Sequence, residues 1–414
     1  MTAPDSNFAL GDLKNAEDPY RLYEAARADG PIQRSGESWL IFGHHEATEL
    51  LRSSSTRSGF MADGYRDRLP PGAAREEMSH RINFLDPPQH TRVRRLVGKA
   101  FTPRRTELLR PFVEEVARKL LRSLPGYQAV DLVKAYAHEV PSLVISELLG
   151  VPVEYRDRLT LLSDRVSRLL GTVNDQAELT DAIAAAEEMH ETLRDLVKAR
   201  RKKPEDDLLS DLIAVEDENE RLSESELLSL AATLYSAGHR TTRDLFANGL
   251  ASFLPQRDLI RAVLDGELPS AAVVEEFLRF ETPTHMIART VAEPLELRGH
   301  TLSPGEPIIV LLAAANRDPS VYTFADVFEP WRWTRRVEPA PPLSFALGAH
   351  FCLGASLARL EANIMLDVLL DTYPEMSLAD ETLRWHHTGV FRGLDSLPVI
   401  LGARLERLPR PGSE

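Results

Sequence analysis

The sequence predicts a mainly α protein with small β-sheets, and three observations carry that prediction. Apolar residues recur at helical spacing through nearly all of residues 106–220. Ser223-Glu-Ser-Glu226 forms a capping box that opens the longest helical run, continuing to about Leu254. Strand patterns are short and few. The clearest is 32–41, where Gly36-Glu37 separates two brief apolar runs as in a β-hairpin.

Composition sets the bounds. Of 414 residues, 43% are apolar and 27% charged, the balance of an ordinary globular protein with a large core. Length alone suggests more than one domain, yet no Pro/Gly/Ser linker, low-complexity tract or internal repeat divides the chain. The net charge of −14 argues against general nucleic-acid or anionic-membrane binding. The opening Met-Thr-Ala-Pro-Asp-Ser lacks the basic and apolar regions of a signal peptide, and no apolar run approaches membrane-spanning length. A single cysteine permits no internal disulfide, so a reducing cytoplasm is the expected location.

Taken in order, residues 1–16 are polar and expected to be loose. A first helix is predicted over 19–29 and another over 44–52. Residues 53–82 carry Gly, Ser and Pro without clean periodicity and are expected to form a long loop region, of the kind that often covers binding sites. Asp86-Pro87-Pro88 starts a helix on which His90 and Arg94, four apart, share a face. Alone, such a pair is usually a solvated basic face. With Arg92, Arg95, Lys99, Arg104 and Arg105 the neighbourhood is unusually basic for an acidic protein; it serves either solubility or the docking of an acidic partner.

Helices are predicted over 107–124, 136–149, 153–170 and 176–201. Gly150-Val-Pro152 stops the second, and Gly171-Thr172-Val173 separates the last two. Glu205-Asp206-Asp207 with Asp211 invites comparison with aspartate-rich metal motifs. A solvated, acidic first helical turn near Pro204 explains it better, and no second acidic motif of metal-binding form accompanies it.

The helical run from 223 to 254 spans about 45 Å, enough to cross the molecule. At its middle lies Ala237-Gly238-His239-Arg240-Thr241-Thr242. A glycine inside a helix costs about 1 kcal/mol relative to alanine, so an offsetting contact is expected. Close approach to a flat cofactor would supply one, and an adjacent Thr hydroxyl can bond back to the helix carbonyls and open the ladder. Glu275-Glu276-Phe-Leu-Arg279 follows on another helix, where Glu276 and Arg279 alone read as an exposed i,i+3 pair.

The only cysteine stands in Phe345-Ala-Leu-Gly348-Ala-His350-Phe-Cys352-Leu-Gly354-Ala-Ser-Leu-Ala-Arg359. Gly348 and Gly354 free the backbone on either side of it. From Leu353 the pattern turns helical, with Leu357, Leu360, Ile364 and Val368 on one face and a stop at Tyr373-Pro374. Cys352 thus precedes a helix N-terminus, where the dipole and free amides favour thiolate over thiol. Soft thiolate sulfur is a good ligand for iron. A lone cysteine is most often a buried small hydrophobe, but this Phe, Gly, His, Cys and Gly spacing with its closing Leu-Ala-Arg resembles the haem-binding loop of the cytochrome P450 family. The glycine common directly after the Phe is Ala346 here.

The resemblance runs from about residue 17 to about 402 and implies one large cytochrome P450-type domain over 17–402, with 403–414 a tail. It implies haem b with Cys352 as axial thiolate ligand of its iron, in a loop built by Phe345, Gly348, His350 and Gly354. His90, Arg94, Arg289 and His350 would neutralise the haem propionates. Glu276 and Arg279 look like the family's buried Glu-x-x-Arg pair, joined by Arg332 of Phe328-Glu-Pro-Trp-Arg332. Thr284, His285, Met286 and Ile287, with Val390 and Phe391 in a turn at 388–393, would face the substrate. Ala237, Gly238, Arg240 and Thr241 match the oxygen-handling segment, in which an acidic residue normally precedes the first Thr. Here that place is Arg240.

No G-x-x-x-x-G-K phosphate loop, G-x-G-x-x-G fingerprint or G-x-S-x-G elbow occurs. The His-Glu pairs at 45–46, 138–139 and 190–191 lack a second His four residues on, and His44-His45 and His386-His387 read as surface residues. The expected function is therefore a haem-thiolate monooxygenase. Its substrate would be a small organic molecule, free or presented on a carrier protein, and its electrons would come from a ferredoxin-type partner, since no flavin or iron–sulfur module is present. The missing acid at Arg240 leaves peroxide-driven oxidation as an alternative. A haem-based sensor or carrier without turnover is an alternative of another class.

Overall fold

The helix Glu224–Phe253 runs through the middle of the chain's packing, and most of the molecule is arranged on it. The computed structural model describes residues 6, 8–170, 175–216, 220–335, 340–380 and 382–405. The predicted capping box is present: the Ser223 hydroxyl accepts from the Glu226 amide, and the Glu226 carboxylate accepts from the Ser223 amide. Both orphan donors of the first turn are thereby satisfied. Apolar residues on nearly every face then bury the helix against Glu139–Leu148, Ala73–His80, Ser270–Phe280, Val153–Val166 and Ala355–Thr372. At Gly249 the missing side chain leaves room for the ring of Phe277, which occupies the place a Cβ would take.

Helices Pro19–Ala28, His44–Arg52, Gln89–Ala100 and Gln176–Lys202 lie where the periodicity put them. Other stretches differ. The expected loop at 53–82 contains two helices, Phe60–Arg68 and Ala73–His80, with Tyr65, Ala74 and Met78 buried. Their apolar faces are only two or three residues wide, and polar contacts complete them: Arg81 bonds Glu77 at 2.7 Å and the Ser236 hydroxyl of the long helix at 3.1 Å. The expected 107–124 helix begins as a separate turn, Pro103–Leu108, and restarts at Arg110–Arg122. Pro111 explains the restart, because proline lacks the amide that would continue the ladder and belongs in a first turn. A π-turn, Val133–Ala137, precedes Glu139–Leu148, and a 3-10 turn, Ser167–Leu170, ends the helix Val153–Val166. Gly171-Thr172-Val173 lies outside the described residues.

The sheets are small, as predicted. The hairpin Ile32–Ser35 and Ser38–Ile41 pairs antiparallel, and Ser38–Ile41 runs parallel to Pro307–Val310. Ile287–Val291 and Thr56–Arg57 complete this five-stranded sheet. Trp385–His387 and Arg392–Leu394 form the late hairpin around the predicted turn. Part of the N-terminal segment expected to be loose is packed: Leu10–Asn15 is a 3-10 helix, Leu13 is fully buried, and Phe8 meets Phe42 edge-on at 5.4 Å. Two aromatic and aliphatic anchors outweigh the polar composition around them. No described helix is long and apolar enough to cross a membrane.

Candidate functional site

The cysteine loop is built from two 3-10 turns, Leu343–Phe345 and Gly348–His350, followed by the helix Ala355–Thr372. The Cys352 amide donates to the Phe345 carbonyl at 3.0 Å and closes the loop. Gly348 has φ +71°, and a Cβ there would run into the Leu51 carbonyl, so the position requires glycine. Cys352 is exposed, yet protein walls it closely enough that burial pushes its thiol up. The Gly354 amide, Arg94 and Arg359 act the other way without prevailing. Helix-end electrostatics alone therefore do not make the expected thiolate; a coordinated cation would, because metal binding deprotonates a thiol outright.

Beside the cysteine the structure brings together His90, Arg94, Arg289 and His350. The two imidazoles lie tilted by 38° with centroids 4.1 Å apart, and Arg94 Nη2 donates to the Phe351 carbonyl at 2.6 Å. Burial together with Arg289, His90 and Arg94 pushes His350 down to about 3. Burial lowers Arg289 to about 10, with Asp86 opposing it. His90 is lowered by burial and then by Arg94, and its buried Nε2 has no hydrogen-bond partner among the described residues. Asp86 already accepts from the Ser58 and Gly59 amides at 2.8 and 2.9 Å. Positive charge and donors thus outnumber acceptors here, which is the chemistry a dicarboxylate needs.

On the long helix, Ala237 is exposed midway along an element otherwise largely buried. Thr241, one turn on, donates its hydroxyl to the Ala237 carbonyl at 2.8 Å, and Thr242 does the same to Gly238 at 3.1 Å. The back-bonding was expected; the ladder nevertheless stays continuous from Glu224 to Phe253. Gly238 corrects an expectation. A Cβ there would lie 2.9 Å from Ile145 Cδ1, so its absence is explained by packing against Glu139–Leu148. Ala237 is the residue that opens onto free space. An exposed sulfur, two arginines with two imidazoles beside it and this exposed helical face together fit a flat, dianionic, iron-bearing group such as haem.

Glu276 and Arg279 are fully buried and paired at 2.7 Å. Glu276 also accepts from Arg332 Nε at 3.2 Å, Trp333 Nε1 at 2.9 Å and the Glu329 amide at 2.8 Å. The isolated reading of an exposed pair is therefore wrong, because the helix turns this face inward. Among the expected substrate-facing residues, Thr284 and Phe391 bridge one another and Thr284, Ile287, Val390 and Phe391 are partly exposed. His285 and Met286 are not. His285 is buried with Nδ1 2.9 Å from the Tyr23 hydroxyl, and Met286 packs in the N-terminal apolar cluster.

Two surface expectations change. Much of the basic patch is already neutralised: Arg92 bonds Glu226, Arg95 meets Glu220 at 3.2 Å, and Arg105 bonds Asp211. Arg104 is exposed. The acidic run at 205–211 supplies such partners. Asp207 is also buried, caps Leu208–Ala214 through the Ser210 amide and pairs with Arg200, so it is no merely solvated helix start.

Sequence reasoning placed Arg359 only as the close of the cysteine-loop motif and passed over its contacts: the guanidinium packs 4.7 Å from the Phe345 ring centre and grips Glu275, tying the cysteine helix to Ser270–Phe280. It also passed over a cavity of about 310 Å³ lined by His138, Glu139, Arg243 and His386. No residue of the cysteine loop lines that cavity.

Comparison with known proteins places these observations. The chain matches the family description "Cytochrome P450" over residues 270–382. It is 33% identical over 408 residues to the biotin biosynthesis cytochrome P450 of Bacillus subtilis, covering 96% of this chain and 99% of that one. The solved structure of P450BioI in complex with a hexadec-9Z-enoic acid ligated acyl carrier protein is 32% identical and superposes with a TM-score of 0.83, covering 92% of this chain and 98% of that one. A myxobacterial cytochrome P450, CYP267B1, solved with myristic acid, is 34% identical with a TM-score of 0.84, covering 95% and 99%.

Proposed function

This chain belongs to the cytochrome P450 family, and from that premise we propose that it is a haem-thiolate monooxygenase of small organic substrates, holding haem b on Cys352. The family makes it a P450-type oxidoreductase. The exposed Cys352 beside the cluster of His90, Arg94, Arg289 and His350 is the observation that carries the reading.

When bound, haem supplies the iron at which dioxygen is activated and substrate oxidised. Cys352 would hold it through sulfur, with the Gly354 amide bonding that sulfur and tempering its electron donation. His90, Arg94, Arg289 and His350 would take its carboxylates, which gives the unpartnered His90 Nε2 an acceptor. Thr241 keeps oxygen lone pairs free while its hydrogen is held by the Ala237 carbonyl, so it can accept a hydrogen bond and orient a proton-bearing group there. Arg240 cannot relay protons as a carboxylic acid does. That residue is the specific observation favouring a second reading, peroxide-driven oxidation, since peroxide brings its own protons.

Electrons would come from a separate ferredoxin-type donor, docking with the exposed Arg104 rather than the neutralised arginines. The substrate would be free or carried on a protein. The acyl-carrier complex of one relative and the myristic acid complex of another support starting with fatty acids and acyl thioesters. The test is spectroscopic. The reduced, carbon monoxide-bound protein should show the strongly red-shifted Soret band of thiolate-ligated haem, and Cys352→Ser should lose it. An unchanged spectrum in that variant removes the assignment.

A further inference from the structure

Three side chains from three helices converge away from the cysteine loop. His239 lies on the long helix, Asp164 on Val153–Val166, and His138 at the junction of the π-turn Val133–Ala137 with Glu139–Leu148. One donor atom from each lies within 4.8 Å of the other two. The geometry points to a binding site for a divalent transition-metal ion, zinc by its donor set, held by His138, Asp164 and His239.

The hydrogen bonds specify which atoms are offered. His239 is fully buried, and its Nδ1 lies 2.9 Å from the Tyr235 carbonyl. A carbonyl only accepts, so Nδ1 carries the hydrogen, and the tautomer so defined has its lone pair at Nε2. That nitrogen faces Asp164 Oδ1 at 3.3 Å. A bare lone pair against a carboxylate oxygen is repulsive, so the contact calls for positive charge: a proton on Nε2 or a cation shared by both atoms. His138 gives the cation a third ligand. Its ring stands edge-on to His239 with centroids 5.7 Å apart, and it makes no side-chain hydrogen bond among the described residues. A proton would engage two of the three groups; a metal engages all three. The Tyr235 carbonyl is then the outer partner that orients a ligating imidazole.

Two imidazoles and one carboxylate form a donor set that zinc takes with a fourth, open position. His138 and Glu139 line the 310 Å³ cavity, as does Lys134, whose side chain is 80% exposed, so the cavity opens to solvent and gives water and metal a way in. The π-turn directly before His138 is also the kind of helical irregularity that recurs at functional sites. Occupancy would pin the helix Val153–Val166 to the long helix one residue before Arg240. That arginine bonds Ser167, the residue that follows the same helix. The site would thus stiffen the approach to the Thr241 segment without touching Cys352.

The haem-loaded protein, stripped with a chelator, is titrated with zinc chloride by calorimetry. One equivalent should bind specifically, and the melting temperature should rise by about 3 °C at a hundredfold excess over Kd. Losing even an outer partner typically weakens a site about 10–100-fold, so His138→Ala and Asp164→Asn should each weaken zinc at least about tenfold. Both residues are only partly buried, and the carbon monoxide spectrum confirms that each variant retains its fold. X-ray absorption at the zinc edge should show nitrogen and oxygen neighbours at about 2.0–2.2 Å, separate from the haem iron. Failure of the wild type to bind one equivalent, or affinities within twofold in both variants, overturns the site. Neither result bears on Cys352.

Discussion

Arg243, and not Arg240, holds Asp244: Arg243 Nη2 and Nε lie 2.7 and 2.8 Å from Asp244 Oδ1. The i,i+4 pair open to Arg240 is therefore not made. Its guanidinium bonds the Ser167 hydroxyl instead, and its buried Nε has no partner among the described residues. Burial lowers its pKa, with Asp244 opposing. An arginine with an unspent buried donor near Thr241 is equipped to take a carboxylate through its planar fork.

From this follows a comparison of an acid substrate with its methyl ester in wild type and Arg240→Leu. The acid should bind more tightly in the wild type, and the advantage should vanish in the variant. A charged hydrogen bond contributes about 1.5–3 kcal/mol, or roughly 10–150-fold in affinity. Binding is read from the haem spin-state shift. Equal discrimination in both proteins excludes the clamp.

Ala346 carries a different strain. Its backbone sits at φ +54°, ψ −163°, a region that L-residues rarely occupy and glycine enters freely. Such a residue costs about 1–3 kcal/mol, while glycine adds about 0.5–1 kcal/mol of chain entropy to the unfolded state. Ala346→Gly should therefore stabilise the protein by about 1 kcal/mol, raising its melting temperature by about 1 °C. A melting temperature that falls would mean the loop is relaxed as it stands.

The helices and the cysteine loop were legible because each is encoded locally, by period, cap or spacing. The capping box at Ser223 and Glu226 and the stop at Tyr373-Pro374 lie where the residues put them. What sequence could not show depends on partners remote along the chain. Gly238 looked like a concession to a cofactor until Ile145 proved to occupy its face. The basic patch looked free because Glu220, Glu226 and Asp211 stand more than a hundred residues away. Likewise His285 reads as a pocket residue from its position, yet its hydroxyl partner Tyr23 comes from the first long helix.

The Glu276 cluster should be the least tolerant position outside the cysteine loop. Its carboxylate faces Arg279 and Arg332 and also receives Trp333 and the Glu329 amide. Removing it leaves two buried guanidinium groups without their counter-charge, a loss of about 3–5 kcal/mol. Glu276→Ala should lower the melting temperature by about 3–6 °C and reduce haem retention. A variant that melts within a degree of wild type would show that the backbone carbonyls around Arg279 suffice.

Acid stability gives the last test, through two histidines outside the cysteine loop. His387 is pushed down to about 4 by burial, then by Arg392 and His386. His285 is driven well below its ordinary value by burial, then by His387, Arg392 and Arg317. The rings meet edge-on, with His387 Nε2 3.2 Å from His285 Nδ1, and Tyr23 and Tyr20 close the other side. Glu281, the nearby acid, is engaged by Arg317 and Arg392. Both histidines are therefore held neutral in the fold. In the unfolded chain they titrate near about 6.5. Above that pH the two states bind protons alike and stability is full. As pH falls below it the unfolded state gains protons that the fold refuses, so stability is lost from about 6.5 down to about 4 for His387 and further for His285. Each fully neutral histidine costs up to about 1.4 kcal/mol per pH unit in that window. Between about pH 6.5 and 5, where most carboxylates stay ionised, the wild-type melting temperature should fall more steeply than that of His285→Gln/His387→Asn. Parallel slopes would mean that this buried pair takes up protons without opening the fold.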